Sequence, residues 1–279
     1  MKGKVCLITG ATSGVGRATA SELAEMGAAV IGVGRDSIKC TDVSSEIRNS
    51  SGNPNVEFLV ADLSNQDQVR QLVRDFEARF DRLDVLINNA GAFFLRRKLS
   101  PQGIEMTWAL NHLNYFLLTN LLLEQIKASP QARIVNVASG AHYRGKIHFN
   151  DLNLEKGYNG WKAYCQSKLA NVLFTYELVR RLDDQGVTVN SLTPGFVATR
   201  IGHNTGPVLK YLVSLVQKLG GKTPEEGAET ITYLASSSFV HGITGKFFID
   251  KKAVNSSPIS YDQEIAQRLW EISELMTRG

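Results

Sequence analysis

Tyr164 and Lys168 are residues whose types and spacing could do chemistry, since they stand one helical turn apart in a stretch with helical patterning. Positions i and i+4 share a helix face, so the phenol and the ammonium would project together. A free tyrosine, whose pKa is about 10, is a poor base at neutral pH. A neighbouring ammonium favours the phenolate and lowers that pKa, which makes the pair a usable proton donor or acceptor. The spacing also occurs by chance, and the alternative is an ordinary surface pair.

Two further polar residues could complete such a site. Ser139 stands at the end of an apolar run that predicts a strand, and its hydroxyl could polarise a carbonyl oxygen and stabilise alkoxide charge. The alternative for Ser139 is a turn or cap serine. Asn111 is a polar residue in an otherwise apolar helical stretch and could hold Lys168 through a water. The alternative for Asn111 is a buried amide whose hydrogen bonds are satisfied.

A glycine-rich turn opens the first helical segment, directly after the first apolar run. Its glycines permit a tight turn and let backbone N–H groups approach a pyrophosphate, and the helix N-terminus favours negative charge. The alternative is a plain strand–helix turn, which the place of these glycines at the first junction of an alternating chain disfavours. The turn therefore predicts a dinucleotide site formed by Gly10, Thr12, Ser13, Gly14, Val15 and Gly16.

The end of the second apolar run indicates which dinucleotide binds. Folds that bind NAD usually place an acidic residue there for the ribose hydroxyls, but this chain has Gly34 followed by Arg35. A guanidinium pairs with a 2′-phosphate in a fork geometry, so this end predicts NADP(H). Arg17 could supply a second positive group, and Asp36 would partly offset the field of Arg35. The alternative is that both arginines are solvated surface residues.

Polar and small residues also follow the third and fourth apolar runs. Asp62 could accept a hydrogen bond from the adenine amine, or it could cap the next turn. Asn88 could tie neighbouring strands, and the small residues after it would let the backbone pass close to the cofactor. Ligands of open α/β sheets bind beyond the carboxyl ends of the strands. The predicted cofactor contacts from these segments are Asp62, Leu63, Asn89, Ala90 and Gly91.

The elements that must position these residues alternate along the chain. Short, nearly continuous apolar runs predict strands with helices on both faces, at Val5–Thr9, Ala29–Val33, Val56–Ala61, Val85–Asn88, Arg133–Val137, Val187–Leu192 and Lys246–Ile249. Helical patterning lies between them, at Gly14–Met26, Gln66–Phe80, Gly103–Lys127, Tyr164–Leu182 and Pro224–Ser236. This alternation implies right-handed crossovers. We predict a single α/β domain over residues 1–279, a Rossmann-type doubly wound parallel sheet of about seven strands.

Two regions depart from the alternation. Residues 196–223 form a long connection whose apolar residues recur at near-helical spacing, and long connections are often functional lids. We expect a substrate lid there that contacts a hydrophobic substrate. The alternatives are a face that only packs on the core and a face that lies on a membrane surface. Residues 251–279 form a C-terminal extension with a predicted helix near its end.

Composition and charge disfavour several classes of protein. The formal net charge is +4 with scattered positive residues, which argues against a nucleic-acid surface. The three cysteines have no metal-like spacing, so we expect neither a metal site nor a disulfide framework. The N-terminus does not resemble a signal peptide, and Leu113–Leu123 is too short and too polar to span a membrane. We therefore expect a cytoplasmic protein with no integral membrane segment.

The motifs occur in an order that resembles the short-chain dehydrogenase/reductase family over essentially the whole chain. They are the Thr-Gly-x-x-x-Gly-x-Gly turn, Asn-Asn-Ala-Gly after the fourth run, the serine, Tyr-x-x-x-Lys and the Pro-Gly at position 194. The resemblance implies a catalytic tetrad of Asn111, Ser139, Tyr164 and Lys168. It also implies that the cofactor contacts Tyr164 and Lys168, and that a segment closes over the nicotinamide carboxamide through Pro194, Gly195, Val197 and Thr199.

Within the family the chain is most similar to the retinol dehydrogenase group, on the stretches Gly145–Phe149, Ala163–Asn171, Gly245–Asp250 and Arg268–Trp270. That group mostly uses NADP(H), in agreement with Arg35. The resemblance implies an oxidoreductase that transfers a hydride between NADP(H) and an alcohol or carbonyl of a hydrophobic substrate, retinol- or retinal-like or another apolar aldehyde or ketone. Family members commonly pair through the two long helices, which implies a homodimer or homotetramer.

Two other functions fit the same framework. Light-dependent protochlorophyllide-type reductases share it, and a non-catalytic NADP-binding sensor could be built on it because fold does not fix function. The intact Ser139, Tyr164 and Lys168 argue against a sensor, which has no need of them. Eukaryotic retinol dehydrogenases commonly carry an N-terminal membrane anchor, and none is expected here.

Overall fold

An eight-stranded sheet forms the centre of the protein. The computed structural model describes residues 1–183, 185–196 and 221–278. The strands lie in the order β3-β2-β1-β4-β5-β6-β7-β8, with bounds β1 Val5–Thr9, β2 Ala29–Gly34, β3 Val56–Val60, β4 Val85–Asn88, β5 Arg133–Val137, β6 Thr188–Thr193, β7 Phe247–Ile249 and β8 Lys252–Val254. The chain winds outward from β1 in one direction and from β4 in the other, which confirms the predicted doubly wound α/β fold.

The eighth strand differs from the prediction of about seven. β8 pairs antiparallel with β7, and its three residues are all exposed. The two strands are joined by Asp250 and Lys251, whose φ angles of 48° and 63° suit the backbone twist of a two-residue hairpin. Since the turn lacks glycine and the strand lacks an apolar run, neither gives a pattern from which a strand can be predicted.

Helices pack on both sides of the sheet, with bounds α1 Gly14–Glu25, α2 Ser37–Ser51, α3 Gln66–Glu77, α4 Met106–Trp108, α5 Asn114–Leu121, α6 Leu123–Lys127, α7 Gly160–Leu182, α8 Pro224–Ser236 and α9 Gln263–Thr277. A π-helical turn, Ala109–Leu113, joins α4 to α5. The helical segment predicted over Gly103–Lys127 therefore begins at Met106 and contains a π-helical turn and a turn at Leu122. Among the helices described, none is both long and apolar enough to cross a membrane.

Two helices begin where the sequence pattern did not indicate. α2 has only four buried residues among many polar ones, so its periodicity is weak, and its start is fixed by Asp36, which accepts from the Lys39 N–H at 3.1 Å. α7 begins at Gly160 and not at Tyr164, because Asn159 accepts from the Lys162 N–H at 3.0 Å and caps the helix there.

Two apolar clusters cover the two faces of the sheet. On one face the strands pack against α3, α5 and α7, with Phe76, Phe116 and Phe174 buried between the layers. On the other face they pack against α1, α2 and α8, with Leu23 and Ile231 buried between the sheet and these helices. Burial on both faces explains why the parallel strands are apolar along their whole length.

The C-terminal helix α9 packs on α5 and α7. Its Trp270 ring lies 4.8 Å from the Phe116 ring and 5.7 Å from the Phe174 ring, centre to centre. α9 therefore covers apolar surface of the helices through which pairing of subunits was expected. The contact accounts for much of their apolar character within one chain, and the homodimer or homotetramer stays a prediction.

Candidate active site

A cleft with a volume of about 440 Å³ follows the carboxyl ends of strands β1 to β6. This is where open α/β sheets bind ligands. The predicted site residues that line it are Gly10, Thr12, Ser13, Gly14, Val15, Gly16, Arg35, Asp62, Leu63, Asn89, Ala90, Gly91, Ser139, Tyr164, Lys168, Pro194 and Gly195. Val197 and Thr199 lie outside the described residues, as do positions 197–220 of the expected lid.

The glycine turn brings two pieces of backbone into close contact at one end of the cleft. A Cβ on Gly16 would lie 2.4 Å from the Gly10 carbonyl oxygen and 2.5 Å from Asn89 Nδ2. Asn89 itself is fixed, because its Nδ2 donates to the Thr9 carbonyl at 2.8 Å and its N–H donates to the Thr9 hydroxyl at 2.8 Å. Only glycine therefore fits at position 16.

The first turn of α1 lies beside this glycine turn and presents backbone N–H groups. Within the described chain, the side chain of the N-cap residue Ser13 makes no capping hydrogen bond, and the first turn carries no acidic residue. The first N–H groups of a helix lack intrahelical partners, and the positive end of the helix dipole attracts anions. These residues fit the pyrophosphate of a dinucleotide, which would accept from those N–H groups.

Replacing Gly16 with alanine is expected to weaken dinucleotide binding. The added methyl group would force the Gly10 backbone or Asn89 to move, and such over-packing costs about 1–3 kcal/mol. We expect the Kd for NADPH, measured by nucleotide fluorescence, to rise roughly tenfold, the equivalent of about 1.4 kcal/mol. Gly52→Ala is the control: a Cβ there meets no atom within 4 Å, and the strain that alanine has at its φ of 66° lies outside the cleft, so the Kd should stay unchanged. An unchanged Kd for Gly16→Ala would contradict the assignment of the turn.

Positive charge lies at the end of β2. Arg35 is exposed and lines the cleft together with Lys39 of α2. The carboxylate of Asp36 is engaged by Lys39, whose N–H donates to it at 3.1 Å and whose Nζ lies 3.3 Å away. These contacts lower the pKa of the Asp36 carboxyl. The Asp36 carboxylate, which was expected to offset the charge of Arg35, is therefore paired with Lys39.

Arg17 faces Glu46 and, in the described part of the chain, does not line the cleft. Its Nη2 lies 2.7 Å from a carboxylate oxygen of Glu46 on α2, and Arg17 is not among the described residues that line the cleft. Lys39 lines it instead. The sequence pattern missed Lys39 because α2 was not predicted; a helix capped by Asp36 places Lys39 in its first turn.

Two strand-end residues make local contacts that were expected of them, while the contact of Asp62 with adenine stays a prediction. Asp62 lines the cleft, and its Oδ1 caps the following turn by accepting from the N–H of Ser64 at 3.0 Å and from its hydroxyl at 2.8 Å. Asn88 Nδ2 donates to Asn136 Oδ1 at 2.9 Å, and the two residues are paired in register on β4 and β5. Asn88 therefore ties neighbouring strands, as expected.

The catalytic candidates meet where the end of β5 approaches α7. Lys168 is buried, and its Nζ donates to the Val137 carbonyl at 2.9 Å. The same Nζ lies 5.7 Å from the centre of the Tyr164 ring. Ser139 and Tyr164 line the cleft beside Lys168. The structure thus brings Ser139, Tyr164 and Lys168 together at one end of the cleft.

Burial dominates the pKa values of this group. It lowers the pKa of Lys168 to about 7. It also raises the pKa of Tyr164, an effect that the neighbouring Ser139 hydroxyl opposes. Desolvation disfavours the charged form of each side chain. In the protein without cofactor the phenol is therefore neutral, and the lowering of the Tyr164 pKa by Lys168 together with oxidised nicotinamide stays a prediction.

Asn111 lies in the π-helical turn, a feature that often marks functional positions. Its Oδ1 accepts from the Ala92 N–H at 2.9 Å, and its Nδ2 donates to the Ala92 carbonyl at 3.0 Å and to the Ser167 hydroxyl at 3.1 Å. Its own carbonyl accepts from Asn171 Nδ2 at 2.9 Å. The side chain is thus a satisfied buried amide that fixes the backbone after Gly91, and among the described contacts none joins it directly to Lys168.

Two aromatic residues that sequence reasoning missed flank the phenol. The Phe93 ring lies 5.9 Å from the Tyr164 ring, edge to face, and the Trp161 ring lies 6.1 Å from it at an interplanar angle of 25°. Trp161 precedes Tyr164 by three residues on α7, so the two share a helix face. The spacing would have revealed Trp161 if the helix had been started at Gly160.

Comparisons with known proteins find related sequences and structures. A family model described as short chain dehydrogenase matches residues 4–208. Human retinol dehydrogenase 14 is 45% identical over 99% of this chain and 87% of its own. A solved structure from Mycobacterium paratuberculosis has a TM-score of 0.79 at 32% identity, covering 99% of this chain and 94% of that one. A short chain dehydrogenase from Escherichia coli, complexed with NADPH, has a TM-score of 0.71 at 25% identity and covers 90% of this chain and 98% of that one.

Proposed function

The chain belongs to the short-chain dehydrogenases, oxidoreductases that act on CH–OH groups, and on that premise we propose that it uses NADP(H) to interconvert an alcohol and a carbonyl on a hydrophobic substrate. The observation that carries the proposal is the layout of the cleft. Ser139, Tyr164 and Lys168 line one part of it, Arg35 lines another, and the glycine turn belongs to the same cleft. This layout suits a dinucleotide lying across the carboxyl ends of the strands.

Each catalytic candidate has a defined task in the reductive direction. Bound NADPH would supply a hydride to the carbonyl carbon. Ser139 donates a hydrogen bond to the carbonyl oxygen and stabilises the charge that develops there. Tyr164, which burial keeps neutral, donates its phenolic proton to the same oxygen. Lys168 stabilises the resulting phenolate and holds the nicotinamide ribose.

A hydrophobic substrate is supported by the aromatic rings around Tyr164. Phe93 and Trp161 flank the phenol, and Phe196, at the start of the expected lid, is 61% exposed. Large aromatic surfaces at the mouth of a site favour apolar ligands. We propose that residues 196–223 complete this wall as a substrate lid.

A substrate panel tests the proposed function. The protein would be mixed with NADPH and with apolar aldehydes, ketones including retinoid ones, and a tetrapyrrole, in darkness and in light, while absorbance of the reduced nicotinamide is followed. Dark turnover of a carbonyl is the expected result. Turnover only in light would favour a light-dependent reductase, and nucleotide binding without turnover of any substrate would favour a sensor.

Replacing Arg35 with alanine is expected to reduce the preference for NADPH over NADH. A hydrogen bond between charged groups contributes about 1.5–3 kcal/mol, so the Kd for NADPH should rise roughly tenfold or more while the Kd for NADH stays the same. Arg17→Ala is the matched control, because Arg17 pairs with Glu46 and should leave both values unchanged. Equal losses for the two nucleotides in Arg35→Ala would argue against a 2′-phosphate contact.

A further inference from the structure

A buried histidine connects the candidate catalytic serine to the C-terminal extension. His142 stands three residues after Ser139, in the 3-10 helical turn Gly140–Arg144, and is fully buried. Its Nδ1 lies 2.7 Å from the Ser139 carbonyl oxygen, and its Nε2 lies 3.1 Å from the backbone nitrogen of Ser257. One side chain therefore contacts two segments that are 118 positions apart in sequence, as counted from Ser139 to Ser257.

The partners of the two ring nitrogens fix the state of the imidazole. A carbonyl oxygen can only accept, so Nδ1 must carry a hydrogen, and a backbone N–H can only donate, so Nε2 must not. A protonated ring would place two N–H groups face to face at Ser257. Burial also lowers the pKa of His142, in keeping with a neutral ring. The tautomer is therefore a consequence of the fold.

Packing around the ring leaves the turn little freedom. The imidazole lies 4.0 Å from the Tyr143 ring and 4.6 Å from the Phe247 ring, centre to centre. The Tyr143 hydroxyl donates to the Asn255 carbonyl at 2.6 Å, a second bond from this turn to the C-terminal extension. On its other side the turn meets α7, since a Cβ on Gly145 would lie 2.6 Å from the Cys165 carbonyl oxygen.

We propose that His142 is a positioning residue, which holds Ser139 in its catalytic orientation by bonding its carbonyl and by tying it to the C-terminal extension at Ser257. The proposal rests on the proposed function. A hydrogen-bond donor stabilises developing charge only when it is already aimed at the reacting oxygen, and a displacement of about 1 Å can cost roughly a hundredfold in rate. The C-terminal extension thereby becomes part of the support of the active site.

Two substitutions of similar polarity separate the two bonds of His142. In His142→Asn the side-chain amide reaches the position of Nδ1 and keeps the donor to Ser139. In His142→Gln it reaches the position of Nε2, keeps an acceptor for Ser257 and loses the bond to Ser139. We expect kcat to fall roughly tenfold in His142→Gln and less than about threefold in His142→Asn, with the KM for the carbonyl changed by less than about twofold. His241→Gln, at an exposed histidine, is the control.

A double-mutant cycle shows whether the effect passes through Ser139. In a Ser139→Ala background, His142→Gln should change kcat by less than about twofold, because there is no serine hydroxyl left to misplace. An equal fold loss in both backgrounds, or a larger loss in His142→Asn than in His142→Gln, would overturn the proposal. Thermal unfolding of each variant separates loss of folded protein from loss of rate.

Nuclear magnetic resonance of protein labelled with 15N-histidine gives a readout that needs no turnover. At neutral pH we expect a neutral ring protonated at Nδ1, assigned to His142 by its disappearance in His142→Gln. A ring protonated at Nε2, or charged, would overturn the proposal. If the wild-type protein turned over no substrate of the panel, the proposed function would be wrong. The tautomer of His142, measured without substrate, would still show whether His142 makes these two hydrogen bonds.

Discussion

Tyr164→Phe is expected to lower kcat by at least about a hundredfold, the lower end of what a general acid contributes. The change removes one oxygen atom and keeps the ring between Phe93 and Trp161. Burial already holds the phenol neutral in the native protein, so the hydroxyl is in the form that donates a proton to a carbonyl oxygen. The Kd for NADPH should change by less than about twofold, since the glycine turn and Arg35 remain intact.

The measurement is steady-state turnover of the best carbonyl of the panel, together with nucleotide fluorescence for the Kd. Tyr233→Phe is the matched control, because Tyr233 lies on α8 on the other side of the sheet. Near-normal turnover in Tyr164→Phe would remove the phenol from the mechanism.

Lys168→Met should be as damaging and should also change the pH profile. Burial lowers the pKa of Lys168 to about 7, so its protonated fraction falls as the pH rises through that value. If the ammonium is the active form, kcat/KM for carbonyl reduction falls on the alkaline side of about pH 7 in the wild-type protein. Methionine has a similar shape and no charge. In Lys168→Met this alkaline limb of the pH profile should therefore vanish, and kcat/KM should be lower by at least about a hundredfold.

The profile is measured with the same carbonyl between pH 5.5 and 9, a range that spans about 1.5 to 2 pH units on either side of the expected midpoint. Lys162→Met, an exposed lysine on the same helix, should keep the wild-type profile. A wild-type kcat/KM that stayed flat across this range, or a limb that survived in Lys168→Met, would show that another group titrates.

The sequence allowed much of the site to be predicted, because a parallel sheet collects the carboxyl ends of its strands at one edge. Gly10, Arg35, Asp62, Asn89 and Ser139 follow five different strands, and the structure places all of them along one cleft. Once each strand is recognised from its apolar run, topology alone brings the residues after it together.

Features that depend on side-chain partners could not be predicted in this way. Arg17 and Lys39 are both basic residues near the glycine turn, and only the position of Glu46 on the unpredicted helix α2 decides that Arg17 turns away. Helical spacing likewise reveals that Lys168 is a neighbour of Tyr164, but not that Lys168 is buried and Tyr164 half-buried, so that desolvation favours the neutral form of each. The contact between His142 and Ser257 joins segments whose proximity no local pattern indicates.

The last hairpin has a consequence for how the protein behaves in concentrated solution. A parallel sheet that ended at β7 would offer a row of open backbone donors and acceptors to any other extended chain, which is a common start of aggregation. β8 forms hydrogen bonds with this edge of β7. The outer edge of β8 is only three residues long and begins with Lys252. So short and charged a border gives a second molecule little to pair with at this edge of the sheet.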